Sequence, residues 1–429
     1  MTKILQTEFE SLQDSRPSFL QKSVPTSTLD TLVQLSASSE IDVVGFVDAA
    51  IEKAWEEGSS DIHFESSRTG VGLKFRQDGV MQVGGGLEGV QLASEVVSRI
   101  KVLAQLDITE RRKPQDGRIH WPPRSLDIRV SVMPSLFGED VVLRLLDKSQ
   151  LKQTGQTQLS LQSLGFAAAQ MQSIRVLAAK PHGMLLITGP TGSGKTTTAY
   201  AALSEVNSGL EKIITIEDPV EYELPGTLQI PVNERKGLTF ATGLRSILRH
   251  DPDKILVGEI RDGETAQIAV QSALTGHLVF TTVHANSLTD VLGRFQHLGI
   301  DPFALASALN GVVVQRLMRQ LCLLCAEWRA PTSDETSWIQ RQDGAIDSVP
   351  TPVGCPVCQH RGYKGRFIVA QVHILDNDLR DAIVARQSIK SIHSLLRIKN
   401  ELNLTQQAIS KVREGLTTLE EIGRVIGFE

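Results

Sequence analysis

The run from Gly183 to Thr198, Gly-Met-Leu-Leu-Ile-Thr-Gly-Pro-Thr-Gly-Ser-Gly-Lys-Thr-Thr-Thr, constrains the fold more than any other stretch of this 429-residue chain. Met184 to Ile187 is a short apolar run that reads as a buried strand. It leads into Gly189-Pro190-Thr191-Gly192-Ser193-Gly194-Lys195-Thr196, which fits G-x-x-x-x-G-K-[ST] at every position. A helix-forming segment follows from Thr197 to Val206. Strand, glycine loop and helix in that order make a phosphate-binding loop. Glycines let main-chain N–H groups converge on phosphate oxygens, and the helix N-terminus adds partial positive charge. On this reading Gly189 to Thr197 cradles ATP, Lys195 reaches the β- and γ-phosphates, and the Thr196 hydroxyl ligates Mg²⁺.

The chain is long enough for two or three domains, each with its own core. Basic residues number 44 against 49 acidic, so the net charge of −5 gives no overall pull toward nucleic acid or anionic lipid. No apolar run approaches the ~20 residues that cross a bilayer, and the first ten residues lack a signal-peptide core. The expectation is a cytoplasmic protein that meets a membrane only through partners. Four cysteines in two close pairs favour metal binding over disulfides in that compartment.

Taken in order, residues 1–40 are polar and read as an N-terminal arm. Asp42 to Glu57 carries apolar residues at helical spacing. Strand-like runs follow at Asp61–Glu65, Val71–Arg76 and Val80–Val83, then a helix from Val90 to Leu106, then strands at Leu126–Met133 and Val141–Leu146. Residues 41–148 thus read as a small α+β lobe. Residues 149–163 are rich in Gln, Ser and Thr and read as a linker. From residue 164 to 383, short apolar strands (Met184–Ile187, Ile213–Ile216, Ile255–Val257, Leu278–Thr282) alternate with helices, the pattern of a mainly parallel sheet covered on both faces. Residues 384–429 read as a helical tail whose last helix starts on a threonine cap.

Polar clusters close three of these strands, where open α/β sheets hold ligands. They are Glu217-Asp-Pro-Val-Glu221, Gly258-Glu259-Ile-Arg-Asp262, and Thr275-Gly-His277 through His284, two histidines bracketing a strand. ATP hydrolysis needs a metal, a positioned water and positive charge at the γ-phosphate, and the first two clusters supply carboxylates for water and metal handling. His277, at a strand start, reads as an orienting residue more readily than a catalyst. Arg245 and Arg249 lie four apart on one helix face and fit a charged stripe or a second phosphate-facing set. Arg316 and Arg319 carry no assignment.

With these motifs in place, the chain resembles the ATPases of type II secretion and type IV pilus assembly. Glu217-Asp-Pro-Val-Glu resembles the Asp box of that family, Val257-Gly-Glu-Ile-Arg-Asp its Walker B, and Thr275-Gly-His to His284 its His box. Ser60-Asp-Ile-His-Phe-Glu, Pro114-Gln-Asp-Gly-Arg118 and Asp127-Ile-Arg129-Val-Ser extend the resemblance into the first lobe. It implies a RecA-like ATPase domain behind a PAS-like lobe, assembled as a homohexamer beneath inner-membrane platform proteins. It further implies Glu217 as the general base or water-orienting residue and Glu259 as support for Mg²⁺. Arg118 and Arg129 would reach the γ-phosphate as arginine fingers, and His284 would sense it. Assembly members of the family often carry a larger N-terminal docking domain than residues 1–40 supply.

Cys322-Leu-Leu-Cys325 and Cys355-Pro-Val-Cys358 are two C-x₂-C knuckles that can present four thiolates to a structural Zn²⁺. The polar segment Pro331–Pro352 between them is expected to loop out. In the resembled family this element marks motors that extend a fibre or drive secretion, and retraction motors usually lack it; retraction is therefore the runner-up. A nucleic-acid translocase on the same core is disfavoured by the charge balance and by the absence of a basic, aromatic-laced stretch.

Overall fold

The structure, a computed structural model, describes residues 42–124, 126–146, 159–342, 345–398 and 402–428. The expected arm and residues 149–158 of the expected linker lie outside them. The described residues divide into two compact units, one ending at Leu146 and one beginning at Leu159.

In the first unit, Asp42 caps the helix Val43–Glu56 by accepting from the Val44 N–H at 3.0 Å. Six strands follow: β1 (Asp61–Ser66), β2 (Gly70–Gln77), β3 (Val80–Glu88), β4 (Gln115–Trp121), β5 (Leu126–Ser135) and β6 (Gly138–Leu146). They form an antiparallel sheet in the order β3-β2-β1-β6-β5-β4. Alternate residues of β2 and β5 are buried, as expected for strands with one face on a core. That face carries Ile62, Phe64, Leu73 and Phe75 and is covered by the helices Val43–Glu56 and Val90–Leu103 through Phe46, Ile51, Val96 and Ile100. Sequence patterning missed β4, an edge strand whose Gln-Asp-Gly-Arg start shows no alternation.

The second unit is built on a seven-stranded sheet in the order β15-β12-β7-β11-β10-β8-β9. These strands are β7 (Gly183–Thr188), β8 (Ile213–Glu217), β9 (Thr227–Pro231), β10 (Lys254–Val257), β11 (Leu278–Val283), β12 (Leu309–Leu321) and, after a two-stranded ribbon of β13 (Ala326–Arg329) and β14 (Val349–Pro352), β15 (Tyr363–Ile374). All neighbours are parallel except β15, which runs antiparallel to β12. Every residue of β7, β8, β10 and β11 is buried, which is why these strands read as unbroken apolar runs. Strand geometry splits each run between two cores. Met184, Leu186, Ile214, Ile216, Ile255 and Val257 face one way. Leu185, Ile187, Ile213, Leu256 and Phe280 face the other, beneath the helices Ala168–Ala178 and Lys195–Val206.

Two expectations are corrected. Leu161, inside the expected linker, is fully buried in that second core, and its N–H donates to Glu205 Oε1 at 2.8 Å; residues 159–163 therefore pack as part of the second unit. The segment Pro331–Pro352 does not loop out. Thr332 caps a helix, Ser333–Arg341, that buries Trp338 and Ile339 in the main core, with Trp338 edge-on to Phe428 at 5.0 Å. Hydrophobicity averaged over the segment hid two apolar residues on one helix face. In the tail, Thr418 caps the helix Leu419–Val425 by accepting from the Glu421 N–H, as expected.

Candidate active site

The glycine loop leaves the carboxyl end of β7, and its shape follows from three glycines at positive φ: Gly189 (155°), Gly192 (76°) and Gly194 (82°), the last being the cap of the helix that starts at Lys195. Gly189 is required for a second reason. A Cβ there would stand 2.4 Å from the Gln315 carbonyl oxygen of β12. The Gln315 side chain in turn donates to the Ser193 carbonyl at 2.7 Å, so the loop leans on β12 at both ends.

Lys195 is 8% exposed and its ammonium donates to the carbonyls of Gly189 and Pro190, each at 3.0 Å. Burial, joined by the nearby Arg316 guanidinium, holds it below the usual lysine range, while Glu259 and Glu221 pull the other way. From Lys195 a chain of polar contacts crosses the carboxyl ends of four adjacent strands. His284 Nδ1, just past β11, lies 3.4 Å from the ammonium. Its Nε2 lies 3.3 Å from Glu259, just past β10, and Glu259 accepts from Arg261 at 3.2 Å. Arg261 also pairs with Asp218, just past β8, at 2.9 Å. Burial and the Lys195 charge both push His284 below the ordinary imidazole value.

Glu217 occupies a different environment. It is 2% exposed, and both carboxylate oxygens are engaged: one by the Tyr200 hydroxyl, the other by Thr215 Oγ1 at 2.5 Å and Gln229 Nε2 at 3.3 Å. Glu221, four residues on, is half-buried, and its charge acts on Lys195. His277 lies at the amino end of β11, at the opposite end of the strands from the loop, with Nδ1 3.1 Å from the Ser272 carbonyl. Arg245 pairs with Glu264 at 2.6 Å and Arg249 caps the Arg245 carbonyl, the arrangement of an exposed stripe. Arg316, 7% exposed, donates to the carbonyls of Gln315 and Asn286. The sequence reading had no signal for Tyr200, Gln229, Gln315 or Arg316, whose partners lie on other strands and loops.

In the first unit, Arg118 and Arg129 are direct cross-strand neighbours on β4 and β5, and Arg129 stands opposite Arg144 on β6. Like charges placed directly opposite each other oppose folding, and part of this row is offset by carboxylates of the same unit. The three arginines line a cleft of about 410 Å³ with Asp116 and Ser131. Arg144 is anchored to Asp61 at 2.7 Å.

The donor set fits a nucleotide polyphosphate. The Ser193 hydroxyl, 2% exposed in the loop, has no hydrogen-bond partner among the described residues, and the Lys195 ammonium is held by two neutral carbonyls and the His284 ring, with no carboxylate among its hydrogen-bond partners in the described residues. Away from this site the four cysteine sulfurs gather within 4.8 Å of one another, with Cys322–Cys355 at 3.9 Å and Cys325–Cys358 and Cys355–Cys358 at 3.8 Å. Four thiolates about 2.3 Å from one ion at the corners of a tetrahedron stand about 3.8 Å apart, the edge that zinc requires. The Gly354 N–H points at the Cys325 sulfur, and the N–H groups of Cys355 and Gly362 point at that of Cys358; burial alone would raise the Cys358 thiol, but those two donors and the neighbouring thiols of Cys325 and Cys355 hold it below the usual cysteine range.

Comparison with known proteins agrees with this architecture. The family described as type II/IV secretion system protein matches residues 36–424. Similar chains include the putative type II secretion system protein E of Escherichia coli K12, 44% identical over 394 residues (91% of this chain, 78% of that protein). The type II secretion system ATPase E of Vibrio cholerae is 42% identical over 397 residues (91% and 76%). Among solved structures, the Legionella pneumophila ATPase DotB superposes with a TM-score of 0.63 at 20% identity (90% of this chain, 96% of that one). The pilus retraction motor PilT with bound ADP gives 0.59 at 24% (89% and 96%). The fold is thus the RecA-like ATPase domain with a preceding α+β lobe and a helical tail, and the chain belongs to the type II/IV secretion system protein family.

Proposed function

We propose that this protein is the ATP-hydrolysing motor of a type II secretion or type IV pilus assembly machine, acting as a homohexamer in the cytoplasm against inner-membrane platform proteins. The observation that carries the reading is the unbroken set of contacts from Lys195 through His284 and Glu259 to Arg261 and Asp218, at the strand ends beside a complete phosphate loop. Main-chain N–H groups of Gly189–Thr197 and the Lys195 ammonium take the phosphates, with Lys195 exchanging its neutral carbonyl partners for charged ones. Thr196 and Glu259 would hold Mg²⁺, which neutralises developing charge on the transferred phosphoryl group. His284, tied to both Lys195 and Glu259, reports on loop occupancy. Arg118 and Arg129 of the first unit supply further positive charge to the γ-phosphate. Cys322, Cys325, Cys355 and Cys358 hold a structural zinc.

Glu217 is assigned differently from the expectation. A carboxylate this buried, with both oxygens engaged, is a poor acceptor for a water proton. Of the carboxylates on the loop that follows, Asp218 is paired with Arg261, whereas Glu221 is half-buried and its charge acts on Lys195, so we assign the attacking water to Glu221. Steady-state ATP turnover across a protein concentration series, with Lys195→Ala as control, tests the whole reading. Turnover that rises with concentration and vanishes in the control is expected. Turnover that survives Lys195→Ala refutes it, and specific activity that stays flat removes the reading in which a neighbouring subunit of the hexamer supplies Arg118 and Arg129.

A further inference from the structure

Gln229, on edge strand β9, makes polar contacts with four groups, although nothing in the reaction calls for an amide there. Its Nε2 lies 3.1 Å from the Tyr222 carbonyl, 3.3 Å from Glu217 Oε1 and 3.4 Å from the Tyr200 hydroxyl, and its Oε1 accepts from the Leu224 N–H at 2.7 Å. A carbonyl and an N–H two residues apart on one chain are what an adjoining strand would engage. Here a side-chain amide engages both, so it holds a loop that belongs to no sheet. Tyr200 closes the arrangement from the phosphate-loop helix, bonding Glu217 and packing edge-on against Tyr222 with ring centroids 4.5 Å apart. The clamped loop carries Asp218, paired with Arg261, and Glu221, whose charge acts on Lys195.

We propose that Gln229, with Tyr200 and Glu217, is a positioning unit that holds the 218–224 loop, and with it Glu221, against the phosphate loop. None of the three is a catalytic residue. The proposal rests on the ATPase reading above and adds to it the device that aims the water-handling carboxylate. Its physical basis is that the amide both donates and accepts: leucine at 229 strips the Tyr222 carbonyl and the Leu224 N–H of their partner, and a loop outside the sheet has no ladder to replace it. Glu217, acting through Tyr200, Thr215 and Gln229, tolerates an amide better than a chemical base does. In Glu217→Gln the Tyr200 hydroxyl can turn from donor to acceptor.

The test is a mutant cycle. Gln229→Leu is expected to lower kcat about 10- to 100-fold with KM for ATP within about twofold, because the loss falls on alignment and not on binding. In a Glu221→Gln background the same change is expected to cost less than about threefold, since a misaimed carboxylate that is already absent costs nothing more. Glu217→Gln is expected to keep turnover within about tenfold of the parent, against the 10²- to 10⁴-fold typical of a removed general base. Additive losses from Gln229→Leu and Glu221→Gln, or a rise in KM at unchanged kcat, overturn the proposal. Amide hydrogen exchange supplies a readout independent of turnover: the Leu224 N–H is expected to exchange faster in Gln229→Leu. Unchanged exchange refutes the clamp, whereas a parent protein without Lys195-dependent turnover refutes the ATPase reading.

Discussion

Two glycines of the phosphate loop make unequal demands, and replacing each by alanine measures the difference. At Gly192 (φ 76°) a Cβ would meet nothing within 4 Å, so Gly192→Ala bears only the left-handed backbone cost, about 1–2 kcal/mol. At Gly189 (φ 155°) the Cβ would lie 2.4 Å from the Gln315 carbonyl oxygen and 2.6 Å from Ser193 Oγ. The serine hydroxyl can rotate away. The carbonyl cannot, because β12 is bonded to β7 on one side and β15 on the other. Backbone strain of about 1–3 kcal/mol and overpacking of a similar size then add to roughly 4 kcal/mol. For a unit of this size that lowers Tm by roughly 10 °C, against roughly 4 °C for Gly192→Ala. Thermal unfolding without nucleotide, followed by circular dichroism, gives both numbers. A Gly189→Ala protein that melts no lower than Gly192→Ala refutes the claim that β12 buttresses the loop.

Two further outcomes are expected. The purified protein should carry about one zinc per chain by elemental analysis, and Cys355→Ser should lose it and melt at lower temperature; metal-free protein whose Tm ignores chelators would dismiss the zinc site. Because burial and Lys195 hold His284 below its ordinary value, the unfolded chain takes a proton there that the folded chain resists. Stability should therefore fall as pH drops from the ordinary histidine value through the depressed one, and His284→Gln should remove part of that loss. An NMR titration placing His284 at or above the ordinary value would contradict the assignment.

What could be read from sequence was set by where each element's partners lie. Strands β7, β8, β10 and β11 are buried on both faces by helices, so their apolar runs announced them. By contrast β9 is a five-residue edge strand ending in Pro231, and β12 passes from Val312–Val314 into the buried polar pair Gln315-Arg316 where it meets the phosphate loop. Neither offers a clean period. The phosphate loop was legible because its chemistry is contiguous. The surroundings of Glu217 were not, because Tyr200 and Gln229 reach it from the P-loop helix and from β9. A strand-end glutamate looks the same in sequence whether it faces solvent or is enclosed by three donors. The helix inside Pro331–Pro352 was missed for a related reason: Trp338 and Ile339 are its whole buried apolar face.

Strand β12 has a mechanical consequence. It meets the phosphate loop at Gln315, binds the tail where Arg319 grips the fully buried Glu421, and ends one residue before Cys322, the first cysteine of the C-x₂-C knuckles. At about 3.3 Å per residue, the seven steps from Gln315 to Cys322 make a tie of roughly 23 Å. Such a tie, bonded to neighbours along its length, resists stretching, so the knuckle and the nucleotide pocket keep their spacing through a catalytic cycle. A displacement at the pocket would then reach the knuckle as movement of a stiff beam, without the slack that a loop connection would introduce.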